Sequence, residues 1–298
     1  MTLGQQLAQF IAAGIVNGAI YALLGLGLVV IYSVTRAVNV AQGELAALGA
    51  LLAATLVSAG WPVEGALLVA PTASALVGLL AYLAGIRPVR TASPLVLIIV
   101  TIAMHLTLKG LLLLLWGTDP YALPPFSQGP PLRILGAVVA RQSVWILLTA
   151  LVALTVLYGF FGYTLYGKAL RACAINDLAA RLMGIRPQTM GAMAWTLAGA
   201  LGGLAGVLIT PLTLATYDMG LMLGLKGFVG AVAAGLTSYP LAVLGCLLFG
   251  IVESLVAGVL PSGYRDAIAF GVLVIALLVR AVLALRQGVL VGEEVLTE

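Results

Sequence analysis

The chain has 298 residues, of which 62% are hydrophobic and only 8% charged, and its mean hydropathy is +1.18. Soluble domains run nearer a quarter charged, so this composition excludes a soluble globular fold and specifies an integral membrane protein. The net charge of +4 is no nucleic-acid signal, because the basic residues fall in short connectors between apolar runs, where they set topology.

A helix needs ~20 largely apolar residues to cross ~30 Å of hydrocarbon. On that criterion spans are expected at about 10–32, 42–59, 63–84, 95–116, 143–163, 189–210, 241–260 and 266–285. The opening residues MTLGQQLAQ carry no Lys or Arg, unlike the charged start of a cleaved signal peptide, so the first apolar stretch is expected to stay in the membrane. The stretch 224–237 is too short to cross. It is rich in glycine (Gly224, Gly227, Gly230, Gly235) and reads as a half-helix or re-entrant element shielded by other protein. The expected fold is therefore all-α and polytopic, with about eight transmembrane helices plus a short half-helix, in one domain over residues 1–298.

The connectors 33–41, 85–94 and 164–188 hold Arg36, Arg87, Arg90, Lys168, Arg171, Arg181 and Arg186. They alternate with the less basic connectors, which places them on the cytoplasmic side and the N-terminus outside. For the C-terminus to reach the inside, 224–237 and 241–260 must together form a hairpin. The external segment 117–142 is rich in proline, which favours extended and turn conformations. It reads equally as a cap that meets an external partner or as a solvated connector.

One polar segment, Tyr166 to Pro187, is stranded between apolar runs. Leu170, Ala174, Leu178 and Leu182 recur at a spacing of four and predict one apolar stripe on a surface helix. Lys168, Arg171, Asp177 and Arg181 take the other faces, and Asp177–Arg181 is a favourable i,i+4 pair. Asn176 has the character of a cap for a second short helix, and Gly184 of its terminator. Such a helix either docks a soluble partner or is an ordinary interfacial helix with positive-inside charge.

Small residues at helical spacing (Gly14/Gly18/Ala22, Ala198/Gly202/Gly206, Gly227/Ala231/Gly235) predict close helix packing. The polar residues inside spans are Asn17, Asn39, Glu44, Thr101, His105, Lys109, Lys226 and Glu253, and burying them needs partners or water. His105 and Lys109 fall on one helical face. Asn17, Asn39, Glu44 and Thr101 are the candidates for a translocation path, with Glu44 also suited to pinning the Asn39 loop. A largely apolar path suits Leu, Ile or Val better than a charged solute.

No catalytic constellation is present: the sequence holds neither H-E-x-x-H nor G-x-S-x-G. One histidine and two cysteines (Cys173, Cys246) make neither a metal site nor a disulfide framework, so no cofactor is expected. Gly162 to Lys168 spells G-x-x-x-x-G-K, but Ala169 replaces the Mg²⁺-binding hydroxyl and the segment closes a membrane span, so any ATP hydrolysis belongs to another chain.

Asn39-Val-Ala-Gln-Gly-Glu44, with Asn17-Gly-Ala-Ile-Tyr-Ala-Leu23 before it, resembles the N-terminal hallmark of LivH-type permeases, the membrane subunits of branched-chain amino acid ABC importers. Gly167, Arg171, Ala172, Ala179 and Gly184 fall at characteristic places of that family's cytoplasmic coupling loop. Leu225-Lys-Gly-Phe228 and Tyr264-Arg-Asp266 are similar to its later segments. Gln42 departs from the family, where His is common, and segment 117–142 is idiosyncratic.

The resemblance implies a type II-like importer permease in a prokaryotic cytoplasmic membrane. The implied partners are a second homologous permease, two cytoplasmic ATPases and an external substrate-binding protein. ATPase coupling would run through Gly167, Lys168, Arg171, Ala172, Asn176, Asp177, Ala179, Arg181 and Gly184. The rival expectation is a stand-alone channel or ion-coupled carrier built around Glu253 with Lys226 or Lys109.

Overall fold

The computed structural model describes residues 3–134, 136–233, 235–236 and 238–259, together with positions 267, 271, 274, 275, 278, 279 and 282. The expected span 266–285 lies mostly outside the described residues, and the Tyr264-Arg-Asp266 motif lies entirely outside them.

The order is α1 (Leu3–Thr35), α2 (Gln42–Ser58), α3 (Val63–Ala81), α4 (Arg87–Val89), α5 (Pro94–Trp116), β1 (Leu132–Ile134), β2 (Ala137–Val139), α6 (Arg141–Tyr163), α7 (Leu165–Ile175), α8 (Asp177–Leu182), α9 (Pro187–Ile209), α10 (Met219–Ala233) and α11 (Tyr239–Val259). A π-helical turn, Tyr82–Ile86, joins α3 and α4 into one continuous rod. Among the described residues, six helices are long and apolar enough to cross a membrane: Leu3–Thr35, Val63–Val89, Pro94–Trp116, Arg141–Tyr163, Pro187–Ile209 and Tyr239–Gly258. The chain is an all-α polytopic membrane protein. The expected half-helix begins earlier than the glycines suggested, at Met219, and its 15 residues rise only ~22 Å.

α1 is the central post. In its most apolar stretch 89% of residues are buried, against 22% for α5 and α6, whose apolar faces point outward as lipid-facing helices do. Contact without bulky side chains explains the glycine spacing. α1 lies antiparallel against α11, and a Cβ added at Gly18 would stand 2.8 Å from the Leu247 Cα. Van der Waals packing of bare backbone is the usual cohesion where lipid removes the hydrophobic drive between helices.

The two ends of the bundle are distinct. At one, Arg36, Arg90 and Arg181 line a common cleft with α7 and α8, and the Arg36 guanidinium donates to the Ala174 carbonyl at 3.0 Å. At the other, Gln9 exchanges two hydrogen bonds with Val138, at 2.9 and 2.7 Å, and Tyr121 and Ala215 exchange two backbone bonds. The three basic connectors thus share one end and the N-terminus lies at the opposite one, as the positive-inside rule requires. Segment 117–142 is tied at three places: it folds into the β1–β2 hairpin, clasps α1, and pairs with the connector after α9.

Candidate translocation and coupling sites

The chain leaves α1 at Arg36, a left-handed residue (φ 55°), and turns back into the bundle before α2 begins. Irregular backbone at membrane depth is tolerated only when its polar groups are satisfied by protein. Asn39 does this locally, accepting from the Ala41 amide at 3.1 Å and donating to Gln42 Oε1 at 3.2 Å. Thr101 of α5 places its hydroxyl 2.9 Å from the Val38 carbonyl, and Gln42 Nε2 reaches the Ala198 carbonyl of α9 at 2.9 Å. All three side chains are buried. Gly43 then meets Gly220 and Gly224 of α10 so closely that any Cβ would strike the Gly220 carbonyl.

The loop is therefore pinned by Asn39, Gln42 and Thr101, and the expectation that Glu44 pins it is corrected. Glu44 points instead across to α5, where its Oε1 lies 3.1 Å from His105 Nδ1. Among the described residues, neither carboxylate oxygen nor this nitrogen has another hydrogen-bond partner. Glu44 also borders an apolar cleft of about 610 Å³ between α2, α3 and α5, walled by Leu80, Met104, Leu108 and Leu111. Lys109, expected on the His105 face, lies over the Tyr217 ring at 5.8 Å.

A second polar cluster joins three helices. Lys226 of α10 lies 2.7 Å from Glu253 Oε1 of α11, and the Tyr21 hydroxyl of α1 donates to Glu253 Oε2 at 2.7 Å. The Glu253 side chain is only 6% exposed. Above the cluster is a cavity of about 320 Å³, which Asn17 also lines. The four path candidates therefore divide: Asn17 borders this cavity, Glu44 borders the apolar cleft, and Asn39 and Thr101 are spent on holding the turn. Gln42 and Tyr21 were missed. Their signal is a hydrogen-bonding side chain inside a long apolar run, visible once the fold supplies its partner.

At the basic end, Thr164 breaks α6 from α7 and caps α7, accepting from the Gly167 amide at 3.0 Å. Asn176 caps α8 in the same way through the Ala179 amide, and Gly184 (φ 82°) closes it, its amide donating to the Arg181 carbonyl at 2.9 Å. Asp177 and Arg181 pair as expected. The single apolar stripe does not exist, because the break at Asn176 rotates α8 away from α7. Leu170 is fully buried, whereas Leu178 and Leu182 are 68% and 81% exposed, beside exposed Ile175 and Met183. Gly167 packs against the α6 backbone and Ala172 is half-buried, while Lys168, Arg171 and Ala179 face outward. Burial pushes the Cys173 thiol up from its ordinary value, with Asp177 adding to the rise.

Residues 10–277 match the family model described as "Branched-chain amino acid transport system / permease component". The high-affinity branched-chain amino acid transport system permease protein LivH of Escherichia coli K12 is 30% identical over 288 residues, covering 89% of this chain and 91% of that one. LivH of Salmonella typhimurium is 31% identical over 288 residues, with the same coverage. BraD of Pseudomonas aeruginosa is 28% identical over 286 residues, covering 91% and 93%. No solved structure matches. The family match spans nearly the whole described bundle, so the chain belongs to the permease components of branched-chain amino acid transport systems.

Proposed function

We propose that this chain is the multi-pass cytoplasmic-membrane permease subunit of an ABC importer, and that it passes branched-chain amino acids. The observation that carries this reading is the α7–α8 pair. Two capped helices at the basic end present exposed Ile175, Leu178, Leu182 and Met183 beside Lys168, Arg171 and Arg181, a surface of mixed apolar and charged residues with no cover among the described residues. Such a surface suits a soluble ATPase docked by apolar contact and steered by charge.

In this reading ATP hydrolysis lies on two cytoplasmic ATPase subunits, and this chain is not an enzyme. A second homologous permease completes the path, and a binding protein delivers solute to the end formed by 117–142. ATPase closure pushes α7–α8, and because Arg36 bonds to Ala174, that push is passed to the end of α1 and the turn it leads into. The bundle then alternates between outward and inward access.

The buried Lys226–Glu253 pair favours one alternative, an ion-coupled carrier working alone. Affinity isolation from native membranes in mild detergent separates the two. Recovery of a second permease and two ATPases is expected. Recovery of this chain alone, still transporting in liposomes without ATP, would overturn the ABC reading.

A further inference from the structure

We propose that the cavity above Tyr21, Lys226 and Glu253 binds the zwitterionic head of an aliphatic α-amino acid during its passage. The proposal rests on the transport function given above and assigns it a place and a chemistry.

An α-amino acid carries an ammonium and a carboxylate on one carbon. Lys226 and Glu253 present the complementary pair, 2.7 Å apart, and both line the same cavity. A carboxylate offers about four acceptor sites, more than its partners among the described residues, Tyr21 and Lys226, together occupy, which leaves capacity for a substrate ammonium. The Lys226 ammonium is the matching group for the substrate carboxylate. The two residues carry opposite charges. A zwitterion is neutral overall, so substrate exchange moves no net charge into the low-dielectric interior.

The remainder of the lining fits the rest of such a molecule. Asn17 and Ser254 extend the polar floor, while Ile209, Met219, Met222 and Leu223 supply an apolar wall for a branched side chain. The volume, about 320 Å³, is that of a small-ligand site. Exposure rises from Glu253 on the floor to Thr213 and Leu214 at the rim, in the connector that pairs with Tyr121. The site thus faces the end opposite the coupling helices. Tyr21, Lys226 and Glu253 come from α1, α10 and α11, so relative movement of those helices would dismantle it. A purely structural ion pair has no need of a cavity bordered by both charges.

The test is competition against radiolabelled L-leucine on the detergent-solubilised complex without its binding protein. The competitors are 3-methylbutylamine, which lacks the carboxylate, and 4-methylpentanoate, which lacks the ammonium. Each should compete roughly tenfold or more worse than leucine, the scale of one charged hydrogen bond. Lys226→Met should abolish the leucine-over-amine preference alone, and Glu253→Gln the leucine-over-acid preference alone. Lys226→Arg and Glu253→Asp keep the charges and should keep both preferences even if the neutral variants fail to fold. Analogues that compete as well as leucine on the wild-type complex, or neutral variants with unchanged preferences, would overturn the assignment. ATP-driven leucine uptake by the wild-type complex with its binding protein is measured alongside. Its absence would defeat the transport reading, whereas its presence with no preference at the cavity would defeat only the site.

Discussion

Gln42 Nε2 donates to the Ala198 carbonyl at 2.9 Å, and this bond ties the start of α2 to the middle of α9 across an otherwise apolar contact. Gln42 is 1% exposed, and its Oε1 also receives the Asn39 amide. Gln42→Ala removes both bonds and leaves Asn39 Nδ2 buried without that acceptor. An unsatisfied buried group costs about 1–3 kcal/mol. The thermal midpoint of the purified protein in detergent should fall accordingly, and an unchanged midpoint would show that water replaces the carboxamide.

Gly43 meets the Gly220 carbonyl with no room for a Cβ, and both sides of the contact are backbone. A larger residue there cannot be absorbed by a rotamer change, so α10 must move. Gly43→Ala should destabilise by about 1–3 kcal/mol, the usual cost of overpacking, and Gly43→Leu should prevent recovery of folded protein. By contrast, a Cβ at Gly110 would have nothing within 4 Å among the described residues, so that position should accept alanine without loss.

Apolar length located the six long helices, because crossing hydrocarbon sets a minimum run that few other structures share, but it also marked 42–59, where the 17-residue α2 falls short of that length. The caps at Asn176 and Gly184 and the Asp177–Arg181 pair were legible for a similar reason, since each is settled within four residues. The Leu170–Leu182 stripe misled because periodicity assumes one unbroken helix, and the Asn176 cap that was also legible is what breaks it. The Glu44–His105 contact joins residues far apart in the chain, and only the folded bundle pairs them; for Glu253 the sequence offered Lys226 or Lys109 as partner, and the fold selects Lys226. The β1–β2 hairpin was hidden by the prolines before it, which signalled extension without indicating a partner.

Cys173 sits on the buried side of α7, 5% exposed, and its thiol is pushed above its ordinary value chiefly by burial. A raised value means less thiolate at any given pH below it, and the thiolate is the reacting species. Alkylation by iodoacetamide at neutral pH should therefore be slow and should accelerate as pH rises. Arg36→Ala, which removes the guanidinium bond to Ala174 beside it, should speed the reaction by loosening α7. A wild-type rate equal to that of a small free thiol would show that α7 is undocked in solution.

Glu44 and His105 face each other at 3.1 Å, and the carboxylate has no other hydrogen-bond partner among the described residues. Removing one member of a buried polar pair strands the other, at a typical cost of about 1–3 kcal/mol. His105→Leu should therefore lower thermal stability markedly, and His105→Leu with Glu44→Leu should recover much of the loss. A double variant no more stable than His105→Leu would mean that the two residues act independently.

Arg171 is exposed on α7, on the same end of the protein as Arg36, Arg90 and Arg181, and no ion pair joins it to the described residues. Its charge therefore contributes little to folding, and surface charges of this kind act mainly on association with a partner. Arg171→Glu should leave membrane insertion and yield unchanged while reducing ATP-driven uptake to near background. Arg171→Lys, which keeps the charge, provides the control: it should insert normally and retain most uptake. Uptake by Arg171→Glu equal to wild type would remove α7 from the coupling path, and loss of insertion would assign the residue to topology instead.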